Sequence, residues 1–284
     1  SFSVSLTDNL MAGSLGERAL SAVFVSNQIQ VLLNMMIIGL GAAITILSSQ
    51  YWGKRDVGSI RQIAAIALKF AVAVALAVTL ATLLFPEKCL RLFTDDEAVI
   101  AESVKYLAIQ RFSYLFFSIT QVLIAAMRSV ERVKIGMSLT LVTFFVNLTL
   151  NWVLVFGVLG APKLGIQGLA IATLTARVLE AVIMLLFVRL VDDRLRLRIA
   201  DLVKTDFALL RDFFRYAFPV ITGDILWGVN MAVQGAIIGR LGETALASVS
   251  IANTAFSVMS VAVYGTAGAS AIIIGKTVGT GDYE

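Results

Sequence analysis

The sequence predicts an all-α integral membrane protein: a polytopic helical bundle with one complete six-helix lobe and the first two helices of a second, parallel-repeat lobe. Three observations carry this expectation. Apolar residues make up 58% of the chain and charged residues 15%, where a soluble domain carries about 25% charged. Mean hydropathy is +0.89. No charge falls within Ala19–Gly53, Ile135–Pro162 or Thr244–Gly275, and each run exceeds the roughly 20 residues of one membrane crossing.

Eight spans follow in order. The first is a partial apolar segment before Ser14, and the others lie near 21–50, 62–85, 103–127, 135–160, 165–188, 216–238 and 245–274. Gly13–Gly16, Gly53, Pro86, Gly160 to Pro162 and Gly239–Gly242 punctuate them. The first residue is Ser, with no charged leader or cleavage site, and the chain reads as a piece of a longer one. Lys54, Arg55 and Arg61 follow the second span, and Arg128, Arg132 and Lys134 follow the fourth. Asp95, Asp96, Glu97 and Glu102 lie in the loop between those two. By the positive-inside rule the even-numbered loops and the chain's start are cytoplasmic, in a cell (inner or plasma) membrane. Residues 1–190 read as the first lobe and 216–284 as the start of the second. Between them, 191–215 mixes both charges with Leu195, Leu197, Ile199, Leu202, Phe207 and Leu210, which suits either an amphipathic surface helix or a solvated connector.

A repeat links the two ends. Gly13-Ser-Leu-Gly-Glu-Arg-Ala-Leu20 matches Gly239-Arg-Leu-Gly-Glu-Thr-Ala-Leu246, and the register holds through Asn27 with Asn253, Gly39 with Gly265, Gly53 with Gly279 and Asp56 with Asp282. Six spans separate the copies, so both face the same way. Parallel repeats with a site at their interface are a transporter architecture. The second copy shows two spans where the first has six, so four more are expected, and a chain of this extent should not transport alone.

The composition also excludes several chemistries. One cysteine, Cys89, permits no internal disulfide, and there is no histidine. The net charge of +4 comes from residues between spans, not from a nucleic-acid-binding stripe. No Gly-rich phosphate loop, metal cluster or nucleophile–base pairing is present, so no enzyme activity is expected.

Asp8-Asn-Leu-Met-Ala-Gly13 and Ser48-Ser-Gln-Tyr-Trp-Gly-Lys-Arg-Asp56 look like the first two helices of the multidrug and toxic compound extrusion (MATE) family. Ala126-Met-Arg-Ser129, the Asn147 to Gly157 stretch and Gly165-Ile-Gln-Gly-Leu-Ala-Ile-Ala-Thr173 fit its fourth to sixth, and Tyr216-Ala-Phe-Pro219 opens its seventh. The resemblance implies twelve helices in two bundles of six. It also implies export of cationic, amphipathic compounds in exchange for H⁺ or Na⁺ by alternating access, with no other cofactor. The expected partners are small-molecule cations and lipid, for a monomer that binds no nucleic acid.

Carboxylates within spans are costly, by about 2.5–3.5 kcal/mol on insertion scales, and are functional by default. Asp8 leads: it falls on the family's first-helix Asp, assigned to cation coupling, and its alternative is an Asp near a membrane surface held by helix ends. Asp224 stands one turn before Trp227, where some relatives carry an acid; the alternative is an interfacial Asp. Arg177 and Glu180 form an i, i+3 pair that is either structural or part of coupling. Asn27, Asn34, Asn147 and Asn151 could offer oxygens to a cavity, or simply join helices at about 0.6 kcal/mol each. Two other readings stay open. A lipid-linked sugar flippase would need more cavity cations than Arg177, which Glu180 offsets. A channel or structural protein would leave the intramembrane carboxylates and the repeat unexplained.

Overall fold

The computed structural model describes residues 2–160, 162–197, 201, 206–240 and 243–281. Described residues fold into α1 (Phe2–Ser14), α2 (Glu17–Gly53), α3 (Val57–Leu84), α4 (Pro86–Arg91), α5 (Glu97–Gln110), α6 (Ser113–Ser129), α7 (Val133–Phe156), α8 (Ile166–Leu186), α9 (Phe207–Arg240) and α10 (Glu243–Thr280). Among the described residues four helices are long and apolar enough to cross a membrane, and α5 with α6, bent by 54° between Gln110 and Ser113, are together long and apolar enough for a fifth, broken span.

Local chemistry sets the ends. Gly16 adopts φ +113°, open only to glycine, and turns α1 into α2. Asp56 caps α3, accepting from the Ser59 amide at 3.1 Å and the Ser59 hydroxyl at 2.6 Å. Asp96 caps α5, accepting from the Ala98 and Val99 amides. Pro86 opens α4, where its missing N–H costs nothing, and left-handed Gly157 ends α7.

Helix α7 turns its amides inward and large apolar side chains outward. On α7 the buried face is Leu139, Thr143, Asn147, Asn151 and Val155, at i, i+4 spacing. Its exposed face is Met137, Leu141, Val142, Phe145, Trp152 and Phe156. A helix in water would reverse this; in hydrocarbon the amides must turn inward to find partners. The molecule is an all-α polytopic membrane protein.

Helix α2 is the central wall. Its stripe Leu33, Ile37, Leu40, Ile44 and Leu47 is buried, and α3, α5 and α6 pack against it. Helices α9 and α10 pack against the same helix. Helix α9 begins at Phe207, so the linker is shorter than the sequence-based 191–215: Leu209, Phe213 and Ala217 are core residues, and the Phe214 ring meets Phe70 edge-on at 5.1 Å. The amphipathic segment expected there includes Ile199 and Leu202, which lie outside the described residues, as does Asp282 of the repeat.

At the end of the bundle carrying the α2–α3 and α6–α7 connections, α2 and α10 cross almost backbone to backbone. A Cβ on Gly53 would lie 2.2 Å from the Lys276 carbonyl oxygen, and one on Gly279 would lie 2.0 Å from that of Gln50. Gln50 and Gly53 match Lys276 and Gly279 in the repeat register, so this crossing has its own two-fold symmetry.

Ion pairs tie the same end. Lys276 donates to Glu131 at 2.5 Å, and Arg194 lies 3.7 Å from the same carboxylate. Arg194 also donates to the Val130 carbonyl, and Arg61 to that of Leu195. The hydrogen bond from Lys276 holds the Glu131 carboxyl below its ordinary value. A folded value lowered this way adds stability above the unfolded value and loses it as pH falls through the folded one. Because the pair is largely exposed, a thermal-unfolding double-mutant cycle of Glu131→Gln with Lys276→Met should give a coupling of about 0.2–1 kcal/mol at neutral pH. That coupling should fade as pH falls below the ordinary glutamate range and through the lowered folded value; a coupling unchanged in acid contradicts the pairing.

Candidate functional site

Helices α1, α7 and α8 bring four polar side chains together near one end of the bundle. Asp8 lies six residues from the end of α1, Asn151 five from the end of α7 and Thr173 seven into α8, so all three sit about 8–10 Å along their helices. Asp8 is 3% exposed, and Asn147 and Asn151 are fully buried.

Their hydrogen bonds close a ring. Asn151 Nδ2 donates to Asp8 Oδ1 at 2.6 Å and to Asn147 Oδ1 at 3.1 Å. Asn147 Nδ2 donates to Thr173 Oγ1 at 3.2 Å, and the Thr173 hydroxyl donates to Asp8 Oδ2 at 3.0 Å. Both carboxylate oxygens are therefore met by neutral donors. Two oxygens remain: Asn151 Oδ1 and the Tyr106 hydroxyl, both buried without a hydrogen-bond partner. Tyr106, on α5, is within electrostatic reach of Asp8. A buried carboxylate beside unpartnered neutral oxygens offers hard ligands to a monovalent cation, or a seat for a proton.

One turn further along α8, Arg177 donates to Glu180 at 2.7 Å and stacks on the Phe117 ring, its centre 5.0 Å away. Glu180 is 2% exposed. Arg177 is partly buried and close enough to act on Asp8 electrostatically.

The other sequence-derived candidates lie elsewhere. Asn34 lines a cavity of about 410 Å³ between α2, α6 and α10, with Thr45, Gln121, Arg128, Gly268 and Ala271. Asn27, partly buried on α2, takes no part in Asp8's hydrogen bonds. Asp224 is partly buried on α9, between Ile221, which packs on Gly39, and Gly228, which packs on Met35; its Oδ2 is buried without a partner. Trp227 is 52% exposed, so a one-turn shift from Asp224 does not reproduce its surroundings. Neither residue is in hydrogen-bond contact with Asp8.

Sequence reasoning missed Thr173 and Tyr106. Thr173 shares a helix face with Arg177 and Glu180, which was the available signal. Replacing it with Val would strand both the Asp8 oxygen and an Asn147 donor. A neutral interhelical bond in a membrane averages about 0.6 kcal/mol, but two stranded groups, one a carboxylate, raise the expected cost to about 1–3 kcal/mol. Thermal unfolding should show that loss for Thr173→Val and little for Thr173→Ser; equal losses would mean the hydroxyl does not matter.

Comparisons with known proteins give the family and the fold. The chain is 28% identical over 282 residues to a probable multidrug resistance protein NorM of Rhizobium meliloti, covering 98% of this chain and 60% of that protein. It is 26% identical to the Thermotoga maritima protein of the same description, with the same coverage. It therefore spans about 60% of the length of these relatives. A crystal structure of the Vibrio cholerae MATE transporter VcmN superposes with a TM-score of 0.87 at 21% identity, covering 98% of this chain and 62% of that one. A Pyrococcus furiosus transporter of the MOP superfamily gives 0.87 at 17%, over 98% and 61%. These structures share the fold, and the MatE family pattern matches residues 1–153 and 219–284, which takes in most of α9 and all of α10: the chain belongs to the MatE family.

Proposed function

We propose that the protein is a secondary active antiporter that exports cationic, amphipathic compounds in exchange for H⁺ or Na⁺. The observation that carries this reading is Asp8: a carboxylate 3% exposed within a membrane bundle and hydrogen-bonded only by neutral groups. Such a charge is expensive in a bilayer and is retained where a cation comes and goes. The ring around it suits either ion. A proton would sit on Asp8 itself; Na⁺ would add the unpartnered Asn151 oxygen.

In this reading the basic end of the bundle is cytoplasmic. The α2–α10 crossing and the Lys276–Glu131 pair then close the inner side, while the Asp8 ring lies in the outer half. The cavity lined by Asn34 and Gln121 is the inner end of the substrate path. Coupling follows from competition: cation on Asp8 and drug in the cleft favour opposite conformations, so each promotes release of the other.

The test is transport of ethidium by the full-length protein in proteoliposomes. An imposed pH or Na⁺ gradient should drive uphill movement of the dye. Dye movement that ignores both gradients would refute coupling.

A further inference from the structure

Thr173, Arg177 and Glu180 fall at i, i+4 and i+7 and share one face of α8. That face begins at Asp8, which accepts from Thr173. Side chains on a helix lean toward its N-terminus, so Arg177 leans toward the turn holding Thr173 and Asp8, while Glu180 leans back toward Arg177. The guanidinium bonds to one buried carboxylate, Glu180, and lies within electrostatic reach of the other, Asp8. It holds Glu180 through one nitrogen, Nη1, although its fork carries five N–H donors.

The charge count is informative. Asp8 and Glu180 carry two negative charges and Arg177 one positive, so one bound monovalent cation makes the buried group neutral. The other groups facing Asp8 are Tyr106 from α5, Asn147 and Asn151 from α7, and Thr173 from α8, all neutral. When the cation leaves, one uncompensated negative charge remains in a buried site, and among these groups Arg177 carries the positive charge that can answer it.

We propose that Arg177 is a built-in counter-cation for Asp8: it pairs with Glu180 while the coupling cation is bound and swings one turn back toward Asp8 when that cation departs. Arg177 is thus a positioning residue that sets how tightly Asp8 holds its cation and how fast it lets go. Glu180 is the alternative seat that keeps Arg177 away until it is needed. This rests on the coupling role proposed for Asp8.

Cation binding to the purified full-length protein tests the idea, by proton uptake with an indicator dye and by Na⁺ titration calorimetry. Wild type, D8N, R177M, R177K, E180Q and R177M/E180Q are compared. R177M should bind the cation about tenfold more tightly and, in proteoliposomes, turn over ethidium about tenfold more slowly, because release is hindered. E180Q should shift binding about tenfold the other way, since it frees Arg177 for Asp8. R177K should stay near wild type. The double variant strands no charge on Glu180 and should bind as tightly as R177M, so it carries the comparison if R177M does not fold. Shifts in the same direction for R177M and E180Q, or lower activity with unchanged binding, would overturn the counter-cation role and leave Asp8 coupling standing. Binding in wild type that D8N leaves intact would overturn both.

Discussion

Asp8→Asn should abolish gradient-driven export while leaving the protein folded. The amide is nearly isosteric with the carboxylate, so the ring among Asn147, Asn151 and Thr173 can largely re-form by rotating amides. What disappears is the charge. Without it the site can neither hold a proton nor draw Na⁺, and the ion gradient loses its handle on the conformational equilibrium. In proteoliposomes, uphill ethidium transport should fall to the rate without a gradient, a loss of at least about a hundredfold if Asp8 is the sole coupling group. Downhill dye exchange should persist, because the cleft residues Asn34 and Gln121 are untouched. Loss of both activities together would mean that Asp8 serves structure instead.

The second large effect is steric. Gly279→Ala places a methyl group 2.0 Å from the Gln50 carbonyl oxygen, and Gly53→Ala places one 2.2 Å from that of Lys276. The neighbour in each case is backbone, so no rotamer change relieves the clash and the helices must separate. Overpacking of this kind costs about 1–3 kcal/mol or more. Gly223→Ala is the control: nothing lies within 4 Å of its Cβ, and Ala improves helix propensity by up to about 1 kcal/mol. Spin labels on the α2–α3 connection and on the end of α10 should report a longer distance for Gly53→Ala and Gly279→Ala and an unchanged one for Gly223→Ala. Identical distances in all three would show that the crossing is not a tight contact.

Much of this was legible because membrane helices expose their logic in spacing. The uncharged runs marked spans, and Asn147 with Asn151 announced a shared face that the structure turns inward on α7. The i, i+3 spacing of Arg177 and Glu180 marked a pair, and a 2.7 Å bond joins them. Spacing within one helix does not say which helices meet, however. Thr173 escaped notice because a membrane threonine ordinarily bonds back to its own helix, as Thr45, Thr143 and Thr175 do. Only the arrival of α1 gives Thr173 a carboxylate to address. Tyr106 was hidden for a related reason: an aromatic residue in an apolar span reads as packing until its buried, unpartnered hydroxyl is found within electrostatic reach of Asp8. Asp224 and Trp227 show the converse, since equal spacing on paper gave unequal surroundings. The end of the linker was misplaced because Phe207, Leu210 and Phe214 alternate with Arg211, Asp212 and Arg215. That mixture suits a surface helix as well as the first turns of a helix whose apolar face is already packed against Phe70.

Drug-triggered cation release from the purified full-length protein addresses the central claim most directly. Adding ethidium to cation-loaded wild type should release about one H⁺ or Na⁺ per protein, and Asp8→Asn should release none while still binding the dye. Dye binding to wild type with no cation released, or equal release from the Asn variant, would contradict the assignment of coupling to Asp8.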